Sequence, residues 1–184
     1  MSNKDITAVI TSFRSENKIL NCIKSLSSDL KIIVIENSND QKLKDKLEKE
    51  YSNLECVLSN KNLGYAKGNN LGLSLVKTDY ALIINPDATL HNHAINNFFL
   101  SAKANPDFAI IAPYVQETKN EKSSKEIKEG IFEVNSVKGF AMFLNMKQFN
   151  KTGFFDDNFF IYFEEIDLCR RLKKEKKKIF LDTS

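Results

Sequence analysis

The stretch Lys31-Ile-Ile-Val-Ile-Glu36-Asn-Ser-Asn-Asp40 holds the plan of the chain in ten residues. Its β-branched run, with no polar residue alternating through it, reads as a strand covered on both faces, and the polar exit reads as a turn that caps a helix. The pattern repeats on either side. Ile6 to Thr11, Glu55 to Leu58 and Tyr80 to Ile84 read as further strands, and Glu16 to Leu26, Gln41 to Tyr51 and Ala66 to Val76 as helices between them. Such alternation implies crossover helices and a mostly parallel sheet flanked by helices, a Rossmann-like α/β fold. Ligands of such sheets bind beyond the carboxyl ends of the strands, which directs attention to Ser12-Phe13, Glu36 to Asp40, Asn60-Lys-Asn62 and Asn85-Pro86-Asp87.

The second half differs in texture. A helix from Ala94 to Ala104 and a strand from Phe108 to Ala112 precede a polar stretch, Gln116 to Gly130, that reads as a mobile loop. Strands are expected at Ile131 to Val137 and Phe140 to Asn145, then an acidic, aromatic segment, Asp156 to Asp167, that runs into a basic helix. At 184 residues the chain reads as a single domain with a soft boundary near Thr89.

Composition removes several classes of function. The 27 basic residues are interleaved with 24 acidic ones, so the net charge of +3 is too small and too dispersed for a nucleic-acid partner. Cys22, Cys56 and Cys169 are odd in number and lack C-x-x-C spacing, which argues against disulfides and zinc and for a reducing, cytoplasmic location. No apolar run approaches the ~18 residues that span a bilayer. The run Arg170 to Lys178 holds seven basic residues in nine. It reads either as a solvated helix end or as a peripheral contact with the inner face of a membrane.

Four constellations carry candidate chemistry. Asn85-Pro86-Asp87 follows a buried strand, and Pro86, having no N–H, ends the ladder; Asp87 then suits a divalent cation with substrate phosphates as co-ligands, or simply a turn. Gly64, Gly68 and Gly72 stand four apart as a loop enters a helix, for close backbone packing or ligand approach, and match neither a Walker loop nor a dinucleotide fingerprint. Glu36 follows the second strand, where a ribose or base is bound in such folds. Glu164, Glu165 and Asp167 open a helix whose N-terminus favours ionised carboxylates, beside Phe159, Phe160, Tyr162 and Phe163. A carboxylate held in such a cleft is a candidate general base. His91 and His93 have no third ligand nearby and read as solvated.

Taken in order, these motifs resemble family 2 of the inverting glycosyltransferases, in its bacterial rhamnosyltransferase-like branch, with the GT-A nucleotide-diphospho-sugar transferase fold. The resemblance rests on Val9-Ile-Thr-Ser-Phe13, Ile35-Glu-Asn-Ser38, Asn62-Leu-Gly-Tyr-Ala-Lys-Gly-Asn-Asn-Leu-Gly72, Asn85-Pro-Asp87, Gly139, and Gly153-Phe-Phe-Asp156 through Glu164-Glu-Ile-Asp-Leu-Cys-Arg170. It implies that residues 1–88 bind the nucleotide sugar, through Ser12, Phe13, Glu36, Asn62, Gly64, Asn69, Asn85 and Asp87, and that Asp87 holds a manganese or magnesium ion. It further implies that residues 89–184 form the acceptor and catalytic half, C-terminally short, with Glu165 as base and Glu164 or Asp167 as substitutes. The implied activity is transfer of a sugar to a glycan or polyprenyl-linked acceptor in cell-surface polysaccharide synthesis. A catalytically idle nucleotide-sugar-binding module is the main alternative. A sugar-phosphate nucleotidyltransferase ranks last, because Thr11-Ser-Phe-Arg-Ser-Glu-Asn17 has no glycine-rich loop.

Overall fold

The computed structural model describes residues 2–114 and 129–184. Among them a single eight-stranded sheet runs through the molecule in the order β3-β2-β1-β4-β7-β5-β8-β6. Its first half alternates as the sequence implies: β1 (Ile6–Ser12), α1 (Glu16–Ser25), β2 (Lys31–Glu36), α2 (Gln41–Glu50), β3 (Leu54–Leu58), α3 (Gly64–Ser74) and β4 (Tyr80–Ile84). β1 pairs in parallel with both β2 and β4, and β2 with β3. The second half comprises α4 (Ala94–Ala104), β5 (Phe108–Pro113), β6 (Ile131–Glu133), β7 (Ala141–Asn145), α5 (Glu164–Lys174) and β8 (Lys178–Asp182).

Side-chain direction along β1 shows how the layers form. Ile6, Ala8 and Ile10 face one side, where Ile19, Cys22 and Ile23 of α1, Leu43 and Leu47 of α2 and Phe98 of α4 cover them. Val9 faces the other, under Ala66 and Leu73 of α3 and together with Leu168, Cys169 and Leu172 of α5. The chain therefore crosses over one face from β1 to β3 and returns over the opposite face through α3. That reversal opens a crevice beyond the ends of β1 and β4, the place where doubly wound sheets take ligands.

α3 lies close to the sheet because its contact face carries glycine. A Cβ on Gly72 would overlap Cγ1 of Val9, and one on Gly68 would stand 2.5 Å from Cγ2 of Thr11. Gly72→Val should therefore destabilise the protein by about 1–3 kcal/mol, the range for overpacking a tight core. Chemical unfolding checks this; an unchanged midpoint would mean that α3 can lift from the sheet at no cost.

The second half adds antiparallel pairs to the mostly parallel sheet and departs from expectation in two respects. β7 enters antiparallel between β4 and β5, and β6 pairs antiparallel with β8, so the sheet is mixed. The strand expected over Ile131 to Val137 stops at Glu133. The basic helix ends at Lys174, and Lys176 takes φ +58° in the turn that starts β8. Ile179 and Phe180 are buried in that strand, which the density of lysine conceals in the sequence. The basic run is thereby divided, with Lys173 paired to Glu133 at 2.7 Å, Lys177 to Gln148 at 2.8 Å and Lys178 to Asp107 at 2.8 Å. Most of the expected loop, residues 116–128, lies outside the described residues. No helix among the described residues is long and apolar enough to cross a membrane.

Candidate active site

Where buried polar groups lack partners, a folded protein has usually kept them for a ligand or ordered water. Among the described residues these atoms are Oγ1 of Thr11, Oγ of Ser12, Oδ1 of Asn37, Oδ1 of Asn69, Oδ1 of Asn85, and Oε2 of both Glu164 and Glu165. They come from the ends of β1, β2 and β4, from α3 and from the first turn of α5, the elements that frame the crevice.

A chain of direct contacts joins these elements. The Asn37 N–H donates to the Ser12 carbonyl at 2.7 Å, and the Asn37 side-chain amide donates to the Gly64 carbonyl at 3.0 Å. Gly64 takes φ +76° and admits no Cβ, since one would overlap the Phe160 carbonyl oxygen. The next N–H, of Tyr65, donates to that same oxygen at 2.6 Å. Tyr65 then spans the crevice, its hydroxyl donating to the Gly139 carbonyl at 2.5 Å. Gly139 brings its backbone against Glu165, where a Cβ would stand 3.4 Å from that of the acid. Beside it, the Asn85 N–H donates to the Phe140 carbonyl at 2.8 Å. The strand-end residues of the first half and the acids of the second are thus tied into one frame.

Within that frame the expected residues have distinct placements. Ser12 is buried with a free hydroxyl, while Phe13 is 43% exposed beneath the Arg14 guanidinium, 5.3 Å above its ring. Glu36 is fully buried, and its carboxylate accepts from the backbone N–H and hydroxyl of Ser38 and, at 2.7 Å, from the N–H of Asp40. It therefore shapes the loop after β2. Asn62 accepts from the Gly64 N–H at 3.0 Å and so sets the entry to α3, two residues earlier than the helix expected from Ala66. Asn69 donates to the Tyr65 carbonyl at 3.0 Å, which fixes its amide with the oxygen as the free end.

Asn85 and Asp87 form a turn closed by the Ala88 N–H, which donates to the Asn85 carbonyl at 3.1 Å with Pro86 between them. Asp87 is exposed, with Lys18 of α1 at 3.6 Å. No group of three His, Cys, Asp or Glu side chains among the described residues can hold a metal ion. The free Oδ1 of Asn85 and the exposed carboxylate of Asp87 do fit a hard cation that takes its remaining ligands from phosphate and water.

The three acids of α5 separate clearly. Asp167 is committed to Arg171 at 2.6 Å, and that guanidinium also donates to the carbonyls of Thr152 and Phe154. Glu164 is the most buried, and desolvation, aided by the nearby charge of Glu165, raises its pKa against the pull of its own backbone N–H. Glu165 lies beside Tyr65 and Gly139, whereas Phe160, Tyr162 and Phe163, expected to wall it, are more than half exposed. Burial and the charges of Glu164 and Glu165 raise the pKa of Tyr65, so its hydroxyl stays a donor. Tyr65 and Asn70 escape notice in the sequence because each does its work across the chain rather than within a motif; only their place between Gly64 and Gly72 hints at it.

The raised pKa of Glu164 has a definite sign for stability. Below the unfolded-state value the carboxyl is neutral in both states and costs nothing; as pH rises through the folded value the buried charge lowers stability. Glu164→Gln should therefore match wild type near about pH 4 and exceed it at about pH 7, with unfolding midpoints at the two pH values as the check. A variant equally weakened at both would show that the carboxylate makes a favourable contact.

The layers, the strand order and the crevice at the switch point define a GT-A nucleotide-sugar transferase fold. Solved structures agree: S. aureus TarS 1-349 in complex with UDP superposes with a TM-score of 0.75 at 13% identity, covering 97% of this chain and 60% of that one. GalNAc-T7 with UDP, GalNAc and Mn2+ gives 0.79 at 12% identity over 96% and 41%. The family profile for glycosyl transferase family 2 matches residues 7–170, and the chain belongs to that family. It is 23% identical to the low-salt glycan biosynthesis hexosyltransferase Agl10 of Haloferax volcanii, over 95% of this chain and 64% of that protein. The chain thus spans a little under two thirds of that relative's length.

Proposed function

We propose that this chain transfers a hexose, with inversion, from a nucleoside diphosphate sugar to a glycan or polyprenyl-linked acceptor in the assembly of a cell-surface glycan. The observation that carries the reading is the placement of Glu165, with a free buried oxygen, in the same frame as the unpartnered Asn85 and the exposed Asp87. Inverting transfer needs one base on the acceptor side and charge stabilisation on the leaving-group side, and these residues supply one each.

Ser12, Phe13, Asn37 and the loop held by Glu36 receive the nucleoside, Phe13 offering its half-exposed ring and Ser12 its free hydroxyl. Gly64 and Asn62 keep the start of α3 close, and Asn69 offers a carbonyl oxygen from its first turns. Asp87 and Asn85 would hold a divalent cation, with the Asp87 carboxylate as its anionic ligand. When bound, that ion neutralises charge on the departing diphosphate. Glu165 accepts the proton of the attacking hydroxyl, Tyr65 and Gly139 keep it in place, and Glu164 stands behind it as a buried neighbour. Residues 1–88 serve the donor and residues 89–184 the acceptor in this scheme. Calorimetry with UDP in manganese, followed by turnover of UDP-hexoses with and without lipid-linked glycan acceptors, tests it. Absence of UDP binding refutes the reading, and binding with no turnover on any acceptor returns the chain to the idle-module alternative.

A further inference from the structure

We propose that the strip Phe160-Ile-Tyr-Phe163 is a stacking platform for a neutral pyranose ring of the acceptor, with Tyr162 and Phe163 as its principal faces; this rests on the reading of Glu165 as the base. The four side chains are 55%, 51%, 71% and 67% exposed, a run of apolar surface that a folded domain rarely leaves uncovered without a use. Tyr162 and Phe163 take φ of +71° and +69°, a left-handed conformation that bulky residues seldom adopt. Burial of the rings does not compensate this strain, because both project to solvent. Strain of that kind collects at functional sites.

The strip is held firmly. Asn70 of α3 grips the segment before it, donating to the Phe155 carbonyl and to Asp157, both at 2.8 Å, and accepting from the Phe155 N–H at 3.0 Å. The Phe160 carbonyl is fixed by the Tyr65 N–H at 2.6 Å, with Gly64 pressed against the residue. Rings presented from a clamped backbone can bind with little loss of conformational entropy.

Charge and position identify the occupant. Asp156 and Asp157 precede the strip, and Glu164 and Glu165 follow it, so anionic lipid or phosphate meets repulsion there. A neutral pyranose suits it, offering a C–H face to the rings and hydroxyl donors to the carboxylates. The reacting hydroxyl must also reach Glu165, two residues past Phe163. The strip thus leads along the chain directly into the turn that carries the base.

Saturation-transfer NMR with methyl β-glucopyranoside, β-galactopyranoside, α-mannopyranoside and α-rhamnopyranoside, in the presence of UDP, tests the proposal. At least one should receive saturation on its ring C–H protons, and the double variant Tyr162→Ala, Phe163→Gly should bind it about tenfold more weakly, as loss of two ring contacts implies. Glycine at 163 tolerates the observed φ, so the variant should fold; Leu100→Ala, which removes another exposed apolar side chain, should leave the signal unchanged. The proposal is overturned if no pyranoside responds, if the double variant binds as wild type does, or if the strip instead drives binding to phosphatidylcholine vesicles. Loss of UDP binding in wild type with the sugar signal intact would refute the transferase reading and spare the platform.

Discussion

Glu165→Gln should reduce sugar transfer by about a hundredfold or more while leaving UDP affinity and melting temperature near wild type, the scale on which a general base acts. The expectation comes from its surroundings. Its Oε2 is buried with no partner, so replacing it by an amide breaks no hydrogen bond of the fold. The Gly139 backbone, held by Tyr65, packs beside Cβ and Cγ of the side chain, and a glutamine keeps that packing. Transfer rates with a preparation known to be active provide the check. Wild-type turnover by the variant would move the base to Glu164, because Asp167 is already committed to Arg171 and through it to the loop at 152–154.

The second large effect is expected at Asp87. Asp87→Asn should lower UDP affinity in manganese by about tenfold or more, toward the value measured in chelator, which is the scale of one lost charge-assisted contact. Lys18 does not compete strongly for that carboxylate. At 3.6 Å, with both side chains more than half exposed, the pair is the kind that contributes little. The same exposure means that the substitution should leave the unfolding midpoint in place. Equal affinities in manganese and chelator for the wild-type protein would remove the cation from the scheme.

Much of the fold is legible in the residues because a parallel strand buried on both faces has to be a continuous apolar run, as at Ile32 to Ile35 and Ala81 to Ile84. The glycines of α3 are equally direct: each replaces a side chain that would collide with β1 or with Phe160. Strand β8 is hidden for the opposite reason. Its apolar core is short and sits behind a lysine-rich turn, and only pairing between β5 and β6 makes it a strand.

The site divides along the same line. Local chemistry determined that acids open the last helix, that a proline turn presents Asp87, and that polar residues follow each of β1 to β4, because strand exits and helix starts impose those choices within a few residues. Tertiary structure decided which acid faces the crevice. Asp167 and Glu165 are two residues apart; Arg171, one helical turn on, pairs with Asp167 and ties it to the Thr152 and Phe154 carbonyls, while Glu165 lies against the Gly139 backbone that Tyr65 reaches from α3. It also decided that the aromatic strip would face solvent instead of sheltering Glu165, whereas Glu36 spends its carboxylate locally, on Ser38 and Asp40 of its own loop. The choice of acid and the exposure of the strip depend on which groups far apart in the chain come within hydrogen-bonding or van der Waals range, and that is settled by packing between elements.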